Sequence, residues 1–408
     1  MATNIKLFFI KTRIIVAVIL LSILLTACSN PQSDTSNIDL DSTAAFENAL
    51  LTATFSVQVT STNTPEPVTA TPAPAIPSPT STIDPERTPP ALPGDFQTGL
   101  LNPKDVPHTY IEDTCQYLKM RWDPNNSTAG TVVMPVMFHS ITDGEATKQF
   151  QISHEDLEML ARDLVDQGFE SITIEQLRDF LYNNAKIPKR SVILIVDDRH
   201  HDDYYDTHFK QFYDDYGWTV VNGWISDPET LMDVVLQENV RVENEGWVDH
   251  QAHGVVHNIP IERNTSEEYM RSELFGSMNY IEEYFGKEPI AYIWPGGGFS
   301  PKAVEIAREA GFELGFTVNP RGPVMFNWVP LADEKDENRP SFQMEGDVND
   351  PLMVLPRFWD QDARYYLDTV RSIGKDANTY AMQNKAIELE YYDIVCKSIT
   401  GEIPTLSD

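Results

Sequence analysis

From about residue 130 onward the chain alternates short, unbroken apolar runs with longer segments of helical period, and that alternation limits the fold more than anything else in the sequence. Residues 131–138 and 191–196 are continuously apolar or β-branched, as in strands covered on both faces. Between them, 154–167 carries Leu157, Leu160, Leu164 and Val165 at helical spacing. Gly168 ends that helix; 171–174 predicts a short strand and 175–182 another helix. Further on, 204–216 predicts a helix stopped by Gly217, and 219–225 a strand. Then come a helix over 266–285, a strand over 290–294, a helix over 301–310 and a strand over 314–318. Strands separated by helices need crossover connections, so the pattern predicts an α/β domain built on a parallel sheet or barrel, with chemistry at the strand C-termini.

The rest of the chain extends this domain. Ten of the 28 prolines lie between Pro65 and Pro93, and Ser, Thr, Pro and Ala dominate 29–95, which predicts an extended, disordered tether. A balance of 30 Lys+Arg against 62 Asp+Glu, formal charge −32, excludes a nucleic-acid partner, because phosphate binding requires clustered basic charge. Lys6, Lys11 and Arg13 precede an apolar run, 14–25, shorter than the roughly 20 residues of a membrane span but suited to a signal-peptide core. The run ends in Leu25-Thr26-Ala27-Cys28, which resembles the bacterial lipobox. That resemblance implies cleavage before Cys28, lipidation of Cys28 and an extracytoplasmic protein held to the membrane by a lipid anchor. Removing residues 1–27 takes away three basic and no acidic residues, so −32 becomes −35.

Asp197 and Asp198 directly follow the 191–196 run, at the end of a strand where a barrel presents its active-site side chains. Two adjacent carboxylates can divide labour, one binding a cation and the other accepting a proton. In His253-Gly254-Val255-Val256-His257 two imidazoles stand four residues apart, suited to converging on one metal from a helical or turn face. One Asp with two His suits Zn²⁺ first, with Fe²⁺, Co²⁺ or Ni²⁺ acceptable. His200 and His201 continue into a polar run and read as surface residues.

The order of these motifs resembles the polysaccharide deacetylase family, the NodB-homology domain of carbohydrate esterases, over residues 132–359. The residues that carry the resemblance are Pro135-Val136-Met137-Phe138-His139-Ser140, Ile195-Val196-Asp197-Asp198-Arg199, the His253–His257 pair, Tyr292-Ile293-Trp294-Pro295-Gly296-Gly297 and Leu355-Pro356-Arg357-Phe358. The last of these looks like the closing segment of extracellular members acting on poly-N-acetylglucosamine. The resemblance implies a distorted (β/α) barrel with a C-terminal helix and metal-dependent removal of N-acetyl groups from a polysaccharide. It also implies Asp197 as general base and Asp198, His253 and His257 as metal ligands. His139, Trp294, Pro295 and Gly296 would line the substrate site, with a backbone N–H near Gly296 on the oxyanion. Trp294 and Trp359 are the rings expected to stack on sugar faces.

Several positions depart from the family pattern. Arg199 stands where the family has glycine, a long cation expected beside the metal ligand. Gly254 stands in the hydroxyl position of the histidine motif, and the arginine that some members place in the third motif is absent. No histidine follows His257, so the late catalytic acid of the family has no counterpart, which leaves His139, His200 or His250 as substitutes. A metal-retaining carbohydrate binder without turnover is therefore the alternative to an enzyme. The expected organisation is a signal peptide (1–27), tether (28–95), lead-in segment (96–130), deacetylase-like domain (131–360) and helical extension (361–408), its helix spanning 377–399. With Cys28 lipidated, Cys115 and Cys396 remain in a compartment where disulfides persist, and are expected to pair.

Overall fold

The computed structural model describes residues 87–256, 259–335, 337 and 343–405. The expected signal peptide, Cys28 and most of the tether lie outside the described residues, as does His257. In chain order the strands are β1 (Asp105–His108), β2 (Val132–Phe138), β3 (Ser140–Thr142), β4 (Gln151–Ser153), β5 (Glu170–Ser171), β6 (Arg190–Asp197), β7 (Val220–Trp224), β8 (Val248–Ala252), β9 (Ala291–Ile293), β10 (Leu314–Phe316), β11 (Val329–Ala332) and β12 (Phe358–Trp359). The helices are α1 (Thr114–Trp122), α2 (His154–Asp166), α3 (Ile174–Asn183), α4 (Asp202–His208), α5 (Lys210–Tyr216), α6 (Asp233–Asn244), α7 (Glu267–Phe285), α8 (Pro301–Ala310) and α9 (Asp360–Tyr391).

The main sheet runs β10-β9-β8-β7-β6-β2-β12, all its pairs parallel, with β5 beside the start of β6. The segment before β12 closes the ring. The Leu355 N–H donates to the Gly315 carbonyl at 2.8 Å, and the Thr317 N–H donates to the Leu355 carbonyl at 2.9 Å. Three residues later Phe358 pairs with Val136 of β2. One stretch of chain thus joins both edges, and the expected α/β barrel is borne out as a distorted, parallel (β/α) barrel.

Along β6, Val192, Leu194 and Val196 enter one hydrophobic cluster while Ile193 and Ile195 enter another, as the two-residue period of a strand covered on both faces requires. The helices start where the local chemistry sets them. The Ser153 hydroxyl accepts the Asp156 N–H at the head of α2, and Thr173 with Gln176 forms a reciprocal capping box on α3. The helix expected over 204–216 is split into α4 and α5 at Phe209, whose buried ring packs edge-on against Phe138. The segment of His253 follows strand β8 and is a strand exit, not a helical face.

Two boundaries move. Residues 87–95, expected within the tether, already pack on the domain: Leu92 joins the cluster around the C-terminal helix, and the Tyr380 hydroxyl donates to the Gly94 carbonyl at 2.7 Å. The C-terminal helix begins at Asp360, not near 377, and continues past Tyr391 through one wide turn and a last turn to Thr400. Gly374 explains the missed start. A glycine inside a helical pattern reads as a break, yet here a Cβ would lie 2.8 Å from both the Gly130 carbonyl oxygen and Val132 Cγ1, so glycine lets α9 lie close against β2. Cys115 and Cys396 are bonded, with Cα atoms 5.1 Å apart. Among the described residues no helix is long and apolar enough to cross a membrane.

Candidate active site

The carboxylates sit at the C-terminal end of β6. Asp197 is the last strand residue and is buried; Asp198 turns away from the strand with φ +73°. Asn222, buried on β7, holds that turn by donating its side-chain amide to the Val196 carbonyl at 3.0 Å and the Asp198 carbonyl at 2.8 Å. A left-handed non-glycine residue at a strand exit is the kind of local strain that a surrounding hydrogen-bond frame sustains at functional sites.

His253 leaves β8 beside it. Its Nδ1–H donates to the Ile293 carbonyl at 2.7 Å, and since that oxygen can only accept, Nε2 is the ring nitrogen left to meet a cation. That nitrogen faces Asp198 Oδ1 at 3.8 Å. The gap is too long for a hydrogen bond, but it is close to the separation of two donors each about 2.0–2.2 Å from one cation. A ring orienting its second nitrogen on a carbonyl is the usual support of a metal-binding imidazole. The donor chemistry of Asp198 and His253 therefore fits a divalent ion. Among the described residues no group of three potential ligands gathers at one point; the third expected ligand, His257, lies outside them.

Asp197 is engaged differently. Its two oxygens accept from Arg357 Nη1 at 2.5 Å and Nη2 at 2.9 Å, and Arg357, fully buried, also donates through Nε to the Thr317 carbonyl at 2.7 Å. Burial alone would raise the Asp197 carboxyl; Arg357 above all, then His253 and His139, hold it well below the usual carboxylate range. The arginine absent from the third motif is thus supplied by the closing segment, 160 residues away from Asp197.

His139, just beyond β2, points Nε2 at Asp197 Oδ2 from 3.6 Å and is partly exposed. Burial, followed by Arg357, lowers its pKa, while Asp197 and Asp198 act in the opposite sense. Its ring lies parallel to Trp359, centroids 6.0 Å apart, and Phe150 packs against Trp359 at 5.0 Å. Phe150, which sequence reasoning missed, is 40% exposed and held at φ +67°, and with half-buried Trp359 it makes an aromatic wall beside the carboxylates.

Other expectations need correcting. Trp294 is fully buried, its indole N–H donated to the Met353 carbonyl at 2.7 Å, so it has no face for a sugar. Pro295 is buried too, and Gly296 is exposed on the turn after β9. Arg199 does not fill the space beside Asp198: its guanidinium donates to the Asp227 carbonyl at 3.3 Å and the Thr230 hydroxyl at 2.5 Å. His200 is not a surface residue. Its Nε2 bonds the Asp197 carbonyl at 3.0 Å and its ring stacks on Tyr204 at 3.9 Å. His250 is fully buried with both nitrogens engaged, on Glu243 and Asn239, which removes it as a substitute acid.

Residues 185–315 match the family model described as polysaccharide deacetylase, and the resemblance drawn from the motifs is borne out over that segment. YxkH of Bacillus subtilis (strain 168), named for the same family, is 20% identical over 186 residues; the match spans 45% of this chain and 64% of the relative's length. Among solved structures, the Streptococcus pyogenes deacetylase PplD, in complex with acetate, is 19% identical over 56% of this chain and 92% of its own, with a TM-score of 0.45. IcaB from Ammonifex degensii is 14% identical over 60% of this chain and 97% of its own, with a TM-score of 0.44.

Proposed function

We propose that this protein is a hydrolase that removes N-acetyl groups from a polysaccharide of the N-acetylglucosamine type, using a divalent metal, with Zn²⁺ the first candidate. The observation that carries the reading is the division of labour between adjacent carboxylates. Asp198 faces Nε2 of His253 at a distance too long for a hydrogen bond, while Asp197 stands beside it, buried and held ionised by Arg357. A divalent ion on Asp198 and His253, with His257 as the third ligand implied by the motif, would polarise the acetamide carbonyl and acidify a water. The chain's own residues supply the rest. Asp197 accepts the proton from that water. His139, partly exposed and facing Asp197 from 3.6 Å, is placed to pass a proton from that carboxyl to the departing amine. Trp359 and Phe150 offer the apolar face against which a sugar ring would stack. The lipobox adds the proposal that the enzyme works outside the cytoplasm, anchored to a membrane by lipid on Cys28.

One feature favours the second reading, a carbohydrate binder that retains the metal. The bidentate Arg357 pair lowers the basicity of Asp197, and a base held so far from neutral takes up a proton less readily. Incubating the full chain with N-acetylglucosamine oligomers and Zn²⁺ or Co²⁺ and measuring acetate separates the two. For the enzyme, Asp197→Asn abolishes acetate release while metal content stays, and Asp198→Asn loses both. Oligomer binding with no acetate from wild type sinks the hydrolase and keeps the binder.

A further inference from the structure

Glu273 lies in the middle of α7, 2% exposed, in a helix otherwise buried through Met270, Leu274, Ser277, Met278 and Ile281. A carboxylate in such a row needs partners, and it finds them in the turn leaving His253. Its Oε2 accepts the Val255 N–H at 2.8 Å and the Val256 N–H at 3.1 Å. Those two amides have left the β8 ladder and have no strand to pair with, so the carboxylate ends an otherwise unmatched stretch of backbone. The other side of the turn is fixed as well: the Ser226 N–H donates to the Gly254 carbonyl at 3.0 Å, and the His253 N–H to the Trp224 carbonyl at 3.0 Å. Gly254 is the residue that admits this arrangement. It sits at φ +79°, and a Cβ there would come within 2.7 Å of Glu273 Oε2 and 3.2 Å of Pro295 Cγ. The position where the family motif carries a hydroxyl therefore has no room for one while Glu273 is in place.

We infer that Glu273 is a positioning residue of the candidate metal centre, its carboxylate clamping the Val255–Val256 backbone so that His253 keeps Nε2 aimed at Asp198. Glu273 and Gly254 form one device: the glycine opens the space that the carboxylate occupies. The inference rests on the metal-dependent reading of the site and adds a residue to it. Glutamine keeps one oxygen able to accept both N–H groups, whereas leucine of similar size keeps none.

The test uses the full chain with three variants, Glu273→Leu, Glu273→Gln and Gly254→Ser, titrated with Zn²⁺ alone by calorimetry. Amide hydrogen exchange at Val255 and Val256 is followed without metal. Glu273→Leu should weaken Zn²⁺ binding by roughly 10–100-fold, as loss of an outer support does at metal sites, and should speed exchange at both amides. Glu273→Gln should recover most of the affinity. Gly254→Ser should also weaken binding, which keeps the test decisive if Glu273→Leu does not fold. Wild-type affinity in Glu273→Leu, or in Gly254→Ser with unchanged exchange, overturns the inference, as does a Glu273→Gln variant no tighter than Glu273→Leu. Absence of binding by wild type to Zn²⁺ and, in parallel titrations, to Co²⁺ and Ni²⁺ refutes the metal-dependent reading, and the exchange rates then decide the clamp alone.

Discussion

Replacing Arg357 by methionine keeps most of the side-chain volume and removes the charge opposite Asp197. The guanidinium is wholly buried and makes three hydrogen bonds, two to the Asp197 oxygens and one to the Thr317 carbonyl. Removing one partner of a buried ion pair costs about 3–5 kcal/mol, because the remaining charge keeps its desolvation penalty and loses its compensation. The native carboxyl can reduce that loss by taking up a proton. In wild type the Asp197 pKa is depressed, so the pair contributes stability above the unfolded carboxylate pKa and loses it as pH falls through the folded value. In Arg357→Met the sign reverses: the carboxyl is raised, and the deficit is largest at pH 7–8 and shrinks toward pH 4. Urea unfolding of wild type, Arg357→Met and Arg357→Met/Asp197→Asn at pH 5 and pH 7.5 measures this directly. The double variant should recover about 2 kcal/mol or more relative to the single one at pH 7.5, since no buried charge remains. A single variant within about 1 kcal/mol of wild type at pH 7.5, or a double variant no more stable than the single, would refute the argument.

Asp360, 2% exposed and with Oδ2 lacking a hydrogen-bond partner, has its carboxyl pushed up to about 7 by burial. Its contribution to stability is present below the unfolded pKa of ~3.9 and is lost as pH rises through about 7; Asp360→Asn should therefore raise the urea midpoint at pH 8 and leave it nearly unchanged at pH 4. Equal shifts at both pH values would show that the group does not titrate as argued. Trp359→Ala should raise KM for N-acetylglucosamine oligomers by roughly fivefold to tenfold, the worth of one stacked ring at ~1–1.4 kcal/mol. Trp294→Phe should leave KM alone and lower the melting temperature, because that ring is core; a KM effect from Trp294 instead would reassign the wall.

What could be read along the chain was whatever depends on neighbours in sequence. The two-residue and helical periods placed six of the eight strands of the main sheet and most of its helices, and the strand end marked Asp197 and Asp198. Strand β8, which leads to His253, α6 before it and the two-residue β12 were not read; Val248-Asp249-His250-Gln251-Ala252 is too polar to show as an apolar run. What could not be read depends on ring closure. Arg357 meets Asp197 only because the closing segment lies between β10 and β2, and nothing local to Leu355-Pro356-Arg357-Phe358 points inward or outward. Glu273 looked like one more acid in a helix of a very acidic chain. Trp294 was misplaced because a tryptophan at a strand end reads the same whether it faces a groove or the carbonyl of Met353. Phe150 carried no signal, since its exposure follows from a left-handed backbone that its residue type disfavours.

The Cys115–Cys396 bond has a mechanical consequence. A pull applied at the two ends of the chain passes through residues up to 115, crosses the sulfur bridge and leaves through the last turn of the C-terminal helix. The residues between the two cysteines, a sequence separation of 281, carry no tension while the bond is intact. The barrel, its carboxylates and the segment that closes its ring all lie inside that shielded loop, whose drawn-out length is on the order of 95 nm at ~3.4 Å per residue. Force on the ends can strip the strap over residues 87–113 or fray the terminus, but it cannot unravel the barrel until a reductant cuts the bridge.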